Sequence, residues 1–356
     1  EDEDARLRIQ IDREAVMKVI LPVAGKGTRL RPHTHTKPKS MVRVAGKTVL
    51  EHVMANLGRI KVDEVIFITD ENGDIIEEFV RKNYPKVNVS FIVQNERLGP
   101  AHAVWLAEPR IKAGDEVLVV FNDTLFVTDL TRIPRLCDGL DGLIYSKEVE
   151  DYKRFGVNVM KDGVIVDMVE KPDTPVSRLA QVGLYYLKDG MALMKYLRTA
   201  IERRLTVKGE YYLPEVFKLM IADGMKLGAP EIDEWLDCGK PETLLATNRY
   251  LLENSTRSHY CVEGCVIIPP VAIDPTAQVH HSVIGPHVSI AGGCKIEDSI
   301  IKDSVINANS VLRNVMLENS LVGDSVELTG LSQRINIGDN SVIDMGSCQQ
   351  NCPVKR

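Results

Sequence analysis

Long apolar runs and excess positive charge are missing from this sequence, and cysteines are few. No apolar run approaches the roughly 20 residues that span a bilayer, and no cleavable signal pattern is present, so we expect a cytoplasmic protein without a membrane partner. The 44 basic residues are outnumbered by 50 acidic ones, and a formal charge of −6 gives no reason to expect a nucleic-acid partner. The seven cysteines are scattered, as in a reducing compartment, although the C-x-x-x-C pairs Cys261/Cys265 and Cys348/Cys352 could hold zinc.

The glycine-rich segment after the first apolar run lacks the marks of two common phosphate-binding loops. It reads Ala24-Gly25-Lys26-Gly27-Thr28-Arg29-Leu30-Arg31-Pro32. No Gly-Lys-Ser/Thr closes it as a Walker loop, and the third glycine and immediate helix of a dinucleotide fingerprint are missing. Its glycines nevertheless let backbone N–H groups approach an anion, and Lys26, Arg29 and Lys39 supply positive charge. The residues alone leave two interpretations open: a loop that wraps a polyphosphate, or a glycine turn with solvated cations.

From Val16 to about Leu130, short apolar runs alternate with helical patterns. Predicted strands include 65–69, 89–93 and 117–121, and this alternation predicts right-handed crossovers and a mainly parallel, Rossmann-like α/β sheet. A hairpin is predicted over 159–165. Ligands bind such sheets at the carboxyl ends of the strands, where the glycine loop, Gln94 and Asp123 all fall.

Past Glu263 the pattern changes to an isoleucine, leucine or valine at every fifth or sixth residue. The recurring residues are Ile267, Ile273, Val279, Ile284, Ile290, Ile296, Ile301, Ile306, Leu312, Leu317, Val322 and Leu328. This step is typical of the hexapeptide repeats of a parallel β-helix, whose triangular coils point one apolar residue inward from each face. The open ends and flat faces of such a coil favour self-association, so we expect a homo-oligomer formed partly through this segment.

The pattern Gly-x-Gly-Thr-Arg-Leu-x-Pro over 25–32, with Pro38-Lys39 downstream, closely resembles the signature of sugar-1-phosphate nucleotidyltransferases, also called NDP-sugar pyrophosphorylases. Further motifs resemble that family in the same order along the chain. They are Gln94 with Gly99-Pro100-Ala101-His102-Ala103, Asp123, Glu170-Lys171-Pro172, Gln181-Val182-Gly183, Gly209-Glu210-Tyr211-Tyr212-Leu213 and Trp235-Leu236-Asp237-Cys238-Gly239. The repeats resemble the left-handed β-helix at the C-terminus of many members. The implied organisation is an N-terminal extension (1–16), a catalytic domain (17–252) and a left-handed β-helix domain (263–346).

The resemblance implies a nucleotide site, a metal site and a sugar-phosphate site. The nucleotide would contact Ala24, Gly25, Lys26, Gly27, Thr28, Arg29, Gln94, Gly99 and Asn122. The sugar phosphate would contact Gly156, Glu170, Lys171, Gly183 and Glu210. Asp123 and Asp237 would hold Mg²⁺, which commonly takes one or two carboxylates together with phosphates and water. Arg29, Lys39 and Asp123 would be the catalytic residues, with Arg29 gripping the leaving phosphates and Lys39 bridging the α-phosphate and the pyrophosphate.

The implied reaction joins an NTP and a sugar 1-phosphate into an NDP-sugar and releases pyrophosphate. We expect dTTP and glucose 1-phosphate as substrates. The alternatives are GTP with mannose 1-phosphate, and UTP with glucose or N-acetylglucosamine 1-phosphate. Two other functions stay open: a bifunctional enzyme whose β-helix is an acetyltransferase using one of His280, His281 or His287, and a non-catalytic regulatory subunit.

Overall fold

The structure is a computed structural model, and it describes residues 16–25, 27–71, 73–122, 124–255, 262–330 and 335–344. The predicted extension lies outside these residues except for Val16, which begins the first strand. Residues 256–261, between the two predicted domains, also lie outside them, so the domain boundaries at 17–252 and 263–346 stay predictions.

The first part of the chain forms an α/β domain. Its strands are β1 (Val16–Pro22), β2 (Arg43–Val44), β3 (Lys47–Thr48), β4 (Glu64–Thr69), β5 (Val89–Val93), β6 (Asp115–Val120), β7 (Thr124–Val127), β8 (Gly142–Glu148), β9 (Gly156–Lys161), β10 (Val164–Glu170), β11 (Leu179–Leu187), β12 (Leu227–Gly228) and β13 (Glu234–Asp237). Its α-helices are α1 (Val49–Leu57), α2 (Asp74–Asn83), α3 (Pro100–Trp105), α4 (Ile133–Leu136), α5 (Gly190–Glu202), α6 (Leu213–Ala222) and α7 (Pro241–Glu253).

Nine strands form one mixed sheet in the order β10-β9-β11-β6-β1-β4-β5, and β8 pairs with β11 and β12. The strands β5, β4, β1 and β6 are parallel, while β11 is antiparallel to β6. All six residues of β4 are buried because helices cover both faces of the sheet, as parallel sheets require. This arrangement confirms the predicted Rossmann-like, mainly parallel fold.

Local chemistry explains where the first elements begin and turn. Thr48 caps α1 in a reciprocal pair with Glu51: the Thr48 hydroxyl accepts from the Glu51 N–H at 3.1 Å, and the Thr48 N–H donates to the Glu51 carboxylate at 2.6 Å. The described residues of the long segment before α1 form the 3-10 turns Thr28–Leu30 and Lys39–Met41 and the short hairpin of β2 and β3. At the predicted hairpin, Asp162 and Gly163 both have positive φ, which matches the twist of β9 and β10.

The second part of the chain coils into three parallel sheets, which confirms the predicted β-helix. The sheets are β14 (Val266–Ile267), β17 (Val283–Ile284), β20 (Ile300–Lys302) and β23 (Met316–Glu318); β15 (Val271–Ile273), β18 (Val288–Ile290), β21 (Val305–Ile306), β24 (Leu321–Val322) and β26 (Asn336–Ile337); and β16 (Gln278–His280), β19 (Lys295–Glu297), β22 (Val311–Arg313), β25 (Glu327–Thr329) and β27 (Val342–Asp344). Most of the recurring apolar residues are fully buried between the sheets, and Ile267 is partly buried.

The outer surfaces of the β-helix differ from one another. One row of ladder-paired residues, which we call the docking column, faces the α/β domain and consists of Ala272, Ser289, Val305, Leu321 and Asn336. Val305 and Leu321 belong to the same buried cluster as the α/β core. A second row, the exposed column, consists of Val266, Val283, Ile300 and Met316. The self-association expected from the sequence stays a prediction, and the exposed column is an apolar surface where it can be tested.

The helices of the described residues are short. The longest, α5 and α7, have 13 residues each. Within the part of the chain that the structure describes, none is both long and apolar enough to cross a membrane. The cytoplasmic location stays a prediction.

Neighbouring isoleucines on β20 provide a test of the coil. Ile301 points inward and is fully buried, whereas Ile300 is 44% exposed. We expect Ile301→Ala to destabilise the β-helix by about 2–5 kcal/mol because it leaves a cavity, and Ile300→Ala by less than about 1 kcal/mol. Urea unfolding followed by circular dichroism measures both variants. Equal losses in the two variants would contradict the assignment of inward and outward positions.

Candidate active site

Two adjoining cavities open where the parallel strands of the sheet end. The first, of about 340 Å³, is lined by Gln94 after β5, by Asn122 after β6 and by the glycine loop after β1. The second, of about 550 Å³, lies beside it toward β9, β10 and β11. Pro100 and Phe121 line both cavities, so the two spaces share a wall. This is the edge at which an open α/β sheet binds ligands.

Most of the predicted nucleotide residues meet at the first cavity. Its lining includes Ala24, Gly25, Lys39, Gln94, Gly99 and Asn122, together with Glu210. Thr28 is exposed and lines neither cavity, and Arg29 lines the second cavity instead of the first. Lys26 and Asp123 lie outside the described residues.

The glycine loop folds back on itself at Gly27. That residue has a left-handed φ of 58°, and a Cβ there would lie 3.0 Å from the Thr34 methyl group and 3.1 Å from the Lys39 Cβ. The Thr34 hydroxyl donates to the Gly27 carbonyl at 2.8 Å. Glycine is therefore needed at 27 both for its backbone conformation and for the close approach of Lys39.

Gln94 is oriented by its own loop. Its amide nitrogen donates to the Gly99 carbonyl at 3.3 Å and to His102 Nδ1 at 3.1 Å. Burial lowers the pKa of His102, so this imidazole is neutral at pH 7 and accepts at Nδ1. His102 also packs beside Trp105, with 5.8 Å between the ring centroids.

Gly99 lies where the first cavity meets the Gly209–Leu213 motif named in the sequence analysis. Its φ is 108°, and a Cβ would lie 2.6 Å from the Tyr211 carbonyl oxygen. Backbone hydrogen bonds from Tyr211 to Leu98 (2.8 Å) and from Ala101 to Tyr211 (3.0 Å) fix the segment there. As a result, Glu210 lines the first cavity, although it was predicted among the sugar-phosphate residues.

The second cavity brings together Gly156, Glu170 and Gly183 of the predicted sugar-phosphate residues. Gly156 and Glu170 are paired across β9 and β10, and a Cβ on Gly156 would lie 2.8 Å from Glu170 Oε2. The Lys171 ammonium lies 3.3 Å from Glu170 Oε1 and 5.3 Å from the centre of the Tyr212 ring, although Lys171 does not line the cavity itself. The pair is held at the rim, with the carboxylate directed toward the cavity floor.

The same rim contains a hydroxyl that stays protonated. Tyr212 donates to Glu210 Oε2 at 2.8 Å. Burial and this carboxylate raise the pKa of Tyr212 to about 12. The phenol is thus available only as a neutral hydrogen-bonding group at physiological pH.

Sequence reasoning missed a buried polar chain behind the second cavity. Gln181 lines the cavity and donates to the Asn158 side chain at 2.9 Å, which in turn donates to the Ser146 hydroxyl at 2.8 Å. The signal was present, because Gln181 is a polar residue inside the otherwise apolar strand β11. Each member of such a chain fixes the next, so the Gln181 amide enters the cavity already oriented.

Gly183 explains why β11 bends at this point. Its φ is 78°, and the register between β11 and β8 shifts between Gln181 and Tyr185. A Cβ on Gly183 would lie 3.0 Å from the Cβ of Phe121, the residue that both cavities share. The bulge makes room for the dividing wall.

Charged groups from distant parts of the sequence converge at Gly239. A Cβ placed there would lie 2.7 Å from Asp237 Oδ1, 3.4 Å from Arg29 Nη2 and 3.6 Å from Lys39 Nζ. The Gly239 N–H donates to the same Asp237 oxygen at 2.7 Å. Arg29, Lys39 and Asp237 form the charged cluster, and Gly239 is a further candidate residue whose only sequence signal was its place in the Trp-Leu-Asp-Cys-Gly motif.

The metal prediction concerns Asp237 and Asp123. Within the described residues, no three histidine, cysteine, aspartate or glutamate side chains are grouped as a metal site. A single carboxylate such as Asp237 fits Mg²⁺, which completes its shell with phosphate and water oxygens, whereas a zinc site needs more protein ligands. Of the cysteines considered for zinc, only Cys265 is among the described residues, and its thiol is free.

A methyl group at position 239 tests the charged cluster. We expect the added methyl group in Gly239→Ala to push the Asp237 carboxylate aside. The turnover of the pyrophosphate-releasing reaction expected from the sequence should then fall by about 10- to 100-fold, without unfolding of the domain. Gly58→Ala is the matched control, since a Cβ there meets nothing closer than 3.6 Å. Steady-state kinetics with thermal melts measure both. Full activity of Gly239→Ala would show that the cluster tolerates displacement of Asp237.

Comparison with known proteins identifies relatives that cover most of this chain. A family model described as nucleotidyl transferase matches residues 18–254. A glucose-1-phosphate thymidylyltransferase from Streptomyces antibioticus is 29% identical over 93% of this chain and all of its own length. The bifunctional protein GlmU of Methanocaldococcus jannaschii is 32% identical over 92% of this chain and 80% of its own length. A solved UDP-glucose pyrophosphorylase from Acinetobacter baumanii shares the fold, with a TM-score of 0.57 and 22% identity over 67% of this chain and 94% of its own.

Proposed function

Because the chain belongs to the nucleotidyl transferase family, we propose that it transfers a nucleotidyl group from an NTP to a sugar 1-phosphate, with dTTP and glucose 1-phosphate as the preferred pair. The observation that carries this proposal is the charged cluster of Arg29, Lys39 and Asp237 where two cavities adjoin. Lys39 lines the first cavity, while Arg29 and Asp237 line the second. A triphosphate in the first cavity and a sugar phosphate in the second would meet at that cluster.

In the proposed reaction, a phosphate oxygen of the sugar 1-phosphate attacks the α-phosphorus of the NTP. A new oxygen–phosphorus bond forms, and the bond between the α-phosphorus and the bridging oxygen breaks, so that pyrophosphate leaves with the electron pair. The attacking oxygen is already ionised at neutral pH and needs no general base. The protein therefore contributes positioning and charge neutralisation: Arg29 on the leaving phosphates, and Lys39 between the α-phosphate and the pyrophosphate.

A divalent metal belongs to this proposal. Asp237 and Asp123 would hold Mg²⁺, which would neutralise charge on the α-phosphate. Lys171, at the rim of the second cavity, would hold the sugar phosphate. Glu170 and the backbone at Gly156 and Gly183 would contact the sugar hydroxyls.

The orientation of Gln94 favours a nucleotide whose base carries a ring N–H group. Its amide nitrogen is used by Gly99 and His102, so its carbonyl oxygen is the group left to meet the base. A carbonyl oxygen accepts the ring N–H of thymine, uracil or guanine, whereas the matching ring nitrogen of adenine or cytosine is itself an acceptor. UTP with glucose or N-acetylglucosamine 1-phosphate, and GTP with mannose 1-phosphate, are thus the alternatives to dTTP.

One relative is described as bifunctional, which favours a test of the second candidate function, acetyl transfer by the β-helix. Of the histidines considered as its base, His287 lies between Glu253 at 2.9 Å and Asp303 at 3.1 Å. His280 and His281 are exposed. Acetylation of glucosamine 1-phosphate by acetyl-CoA would establish this second activity. Nucleotide binding without pyrophosphate release would instead favour the regulatory subunit.

A substrate matrix with three variants tests the proposal. We expect pyrophosphate release to be fastest with dTTP and glucose 1-phosphate, and Arg29→Ala, Lys39→Ala and Asp123→Ala each to lower turnover by about 100-fold or more. Arg81→Ala, on the outer side of α2 where Arg81 pairs with Glu77, is the control that keeps normal turnover. Near-normal turnover in all three site variants would refute the site assignment.

Metal removal gives an independent test. We expect EDTA to abolish pyrophosphate release and added Mg²⁺ to restore it. Asp237→Asn keeps the shape of the side chain but loses its charge, so we expect the Mg²⁺ concentration for half-maximal activity to rise about tenfold or more. An unchanged Mg²⁺ requirement would remove Asp237 from the metal site.

A further inference from the structure

The segment between Arg29 and Lys39 is attached to the far end of the β-helix. We call residues 32–37 the loop arm. His33 Nε2 lies 2.5 Å from the Asn336 side-chain oxygen, and the Thr36 hydroxyl donates to the Asp339 carboxylate. A Cβ on Gly338 would lie only 2.8 Å from the Cβ of Pro32, so this glycine lets the arm touch the coil. The arm therefore contacts the last described coils of the β-helix through Pro32, His33 and Thr36.

A cation on the arm is held between two aspartates of the β-helix. The Lys37 ammonium forms an ion pair with Asp324 and lies 3.5 Å from Asp339 Oδ1. The Lys37 side chain is 11% exposed and that of Asp339 is 5% exposed. Asp324 is more accessible, at 35% exposed, so the costly loss is that of the Lys37–Asp339 contact, because it would leave the Asp339 carboxylate buried without its cation.

The coil places these acids opposite Lys37. Ile306, Val322 and Ile337 are aligned in successive coils, so the residues two positions later, Ala308, Asp324 and Asp339, occupy the same corner. The preceding coil has Gly292 at this corner, since Ile290 aligns with Ile306. Among the described coils, an acidic residue occupies this corner only in the two coils that face Lys37.

The backbone of the coil fixes both carboxylates. Asp324 Oδ1 accepts from the Ala308 N–H at 2.9 Å, and Asp339 Oδ1 accepts from the Asp324 N–H at 2.7 Å. Each acid is therefore tied to the neighbouring coil as well as to the arm. Rotation of either side chain away from Lys37 would break a backbone hydrogen bond.

The other half of the charged cluster is attached to the same β-helix. Helix α7 begins at Pro241, two residues after Gly239, and its Arg249 donates to Asp303 Oδ1 at 2.7 and 3.0 Å. Asn248, on the same helix, accepts from the Ser289 hydroxyl of the docking column at 2.6 Å. The Asp237 side and the Arg29–Lys39 side of the cluster are thus fixed to one rigid coil.

We propose that Lys37, Asp324 and Asp339 are positioning residues through which the last coils of the β-helix hold the loop arm, and with it Arg29 and Lys39, in the geometry for pyrophosphate departure. This role rests on the proposed function. Lys37 forms ion pairs within the protein, whereas Arg29 and Lys39, which flank the loop arm, would bind phosphate. The β-helix then positions the loop that would bind phosphate, although none of its described residues lines either cavity.

The first test needs no activity. Hydrogen–deuterium exchange of residues 28–42 is compared in wild type, Lys37→Met, Asp339→Asn and Lys37→Arg. We expect exchange to quicken about tenfold or more in Lys37→Met and Asp339→Asn, and to stay near wild type in Lys37→Arg. Arg313→Met is the matched control, because it breaks a 2.9 Å ion pair to Glu297 between coils on another face. Unchanged exchange in Lys37→Met, or equal acceleration in Arg313→Met, would overturn the attachment.

The second test measures the consequence for the reaction. We expect Lys37→Met and Asp339→Asn to raise KM for the NTP and lower kcat by about tenfold each, with KM for the sugar phosphate nearly unchanged, because only the phosphate loop is released. Lys37→Arg should recover most of the loss. Normal kinetics despite quickened exchange would overturn the positioning role. If the wild type releases no pyrophosphate with any substrate, the proposed function fails while the exchange data still decide the attachment.

Discussion

The candidate site depends on the close approach of two cations and a carboxylate to a single glycine, Gly239. Arg29, Lys39 and Asp237 meet around the Cα of Gly239, where any Cβ would press on the Asp237 carboxylate. Lys39 is only 8% exposed, and a buried ammonium needs opposite charge nearby. The carboxylate offsets one of the two positive charges, and the phosphate oxygens of a bound nucleotide would supply further negative charge. The tight turn after β13 is thus an electrostatic requirement as much as a steric one.

That convergence depends in turn on the β-helix. The docking column runs beside the α/β domain from Ala272 to Asn336, and its rungs have a fixed spacing because each is hydrogen-bonded into the next coil. Gly46 and Ala272 meet at one end, where a Cβ on Gly46 would lie 3.3 Å from the Ala272 Cβ. His33 and Asn336 meet at the other. A rigid parallel ladder therefore sets where α7 and the loop arm lie relative to each other.

Local patterns in the sequence predicted much of this structure. The strand–helix alternation, the five- or six-residue step and the motif positions of Gln94, Glu170 and Asp237 all depend on neighbours along the chain, and the sheet order then brought them to one edge. Pairings between distant residues could not be predicted in this way. Lys37 and Asp324 are separated by most of the chain, and their meeting depends on the register of every intervening coil. The need for glycine at position 239 could not be predicted either, because the lack of a side chain matters only where neighbouring groups approach closely.

The shared wall of the two cavities gives the site a further property. Tyr211 is hydrogen-bonded on both sides to the segment that carries Gly99, and the next residue, Tyr212, stands over Lys171 at the rim of the second cavity. Glu210, between the base side and the sugar side, accepts the Tyr212 hydroxyl. Hydrogen bonds therefore join the backbone flanking Gly99 to Tyr211, and the Glu210 carboxylate to Tyr212. Glu210, Tyr211 and Tyr212 are three consecutive residues, so one short segment connects the nucleotide cavity to Lys171, the group that would hold the sugar phosphate.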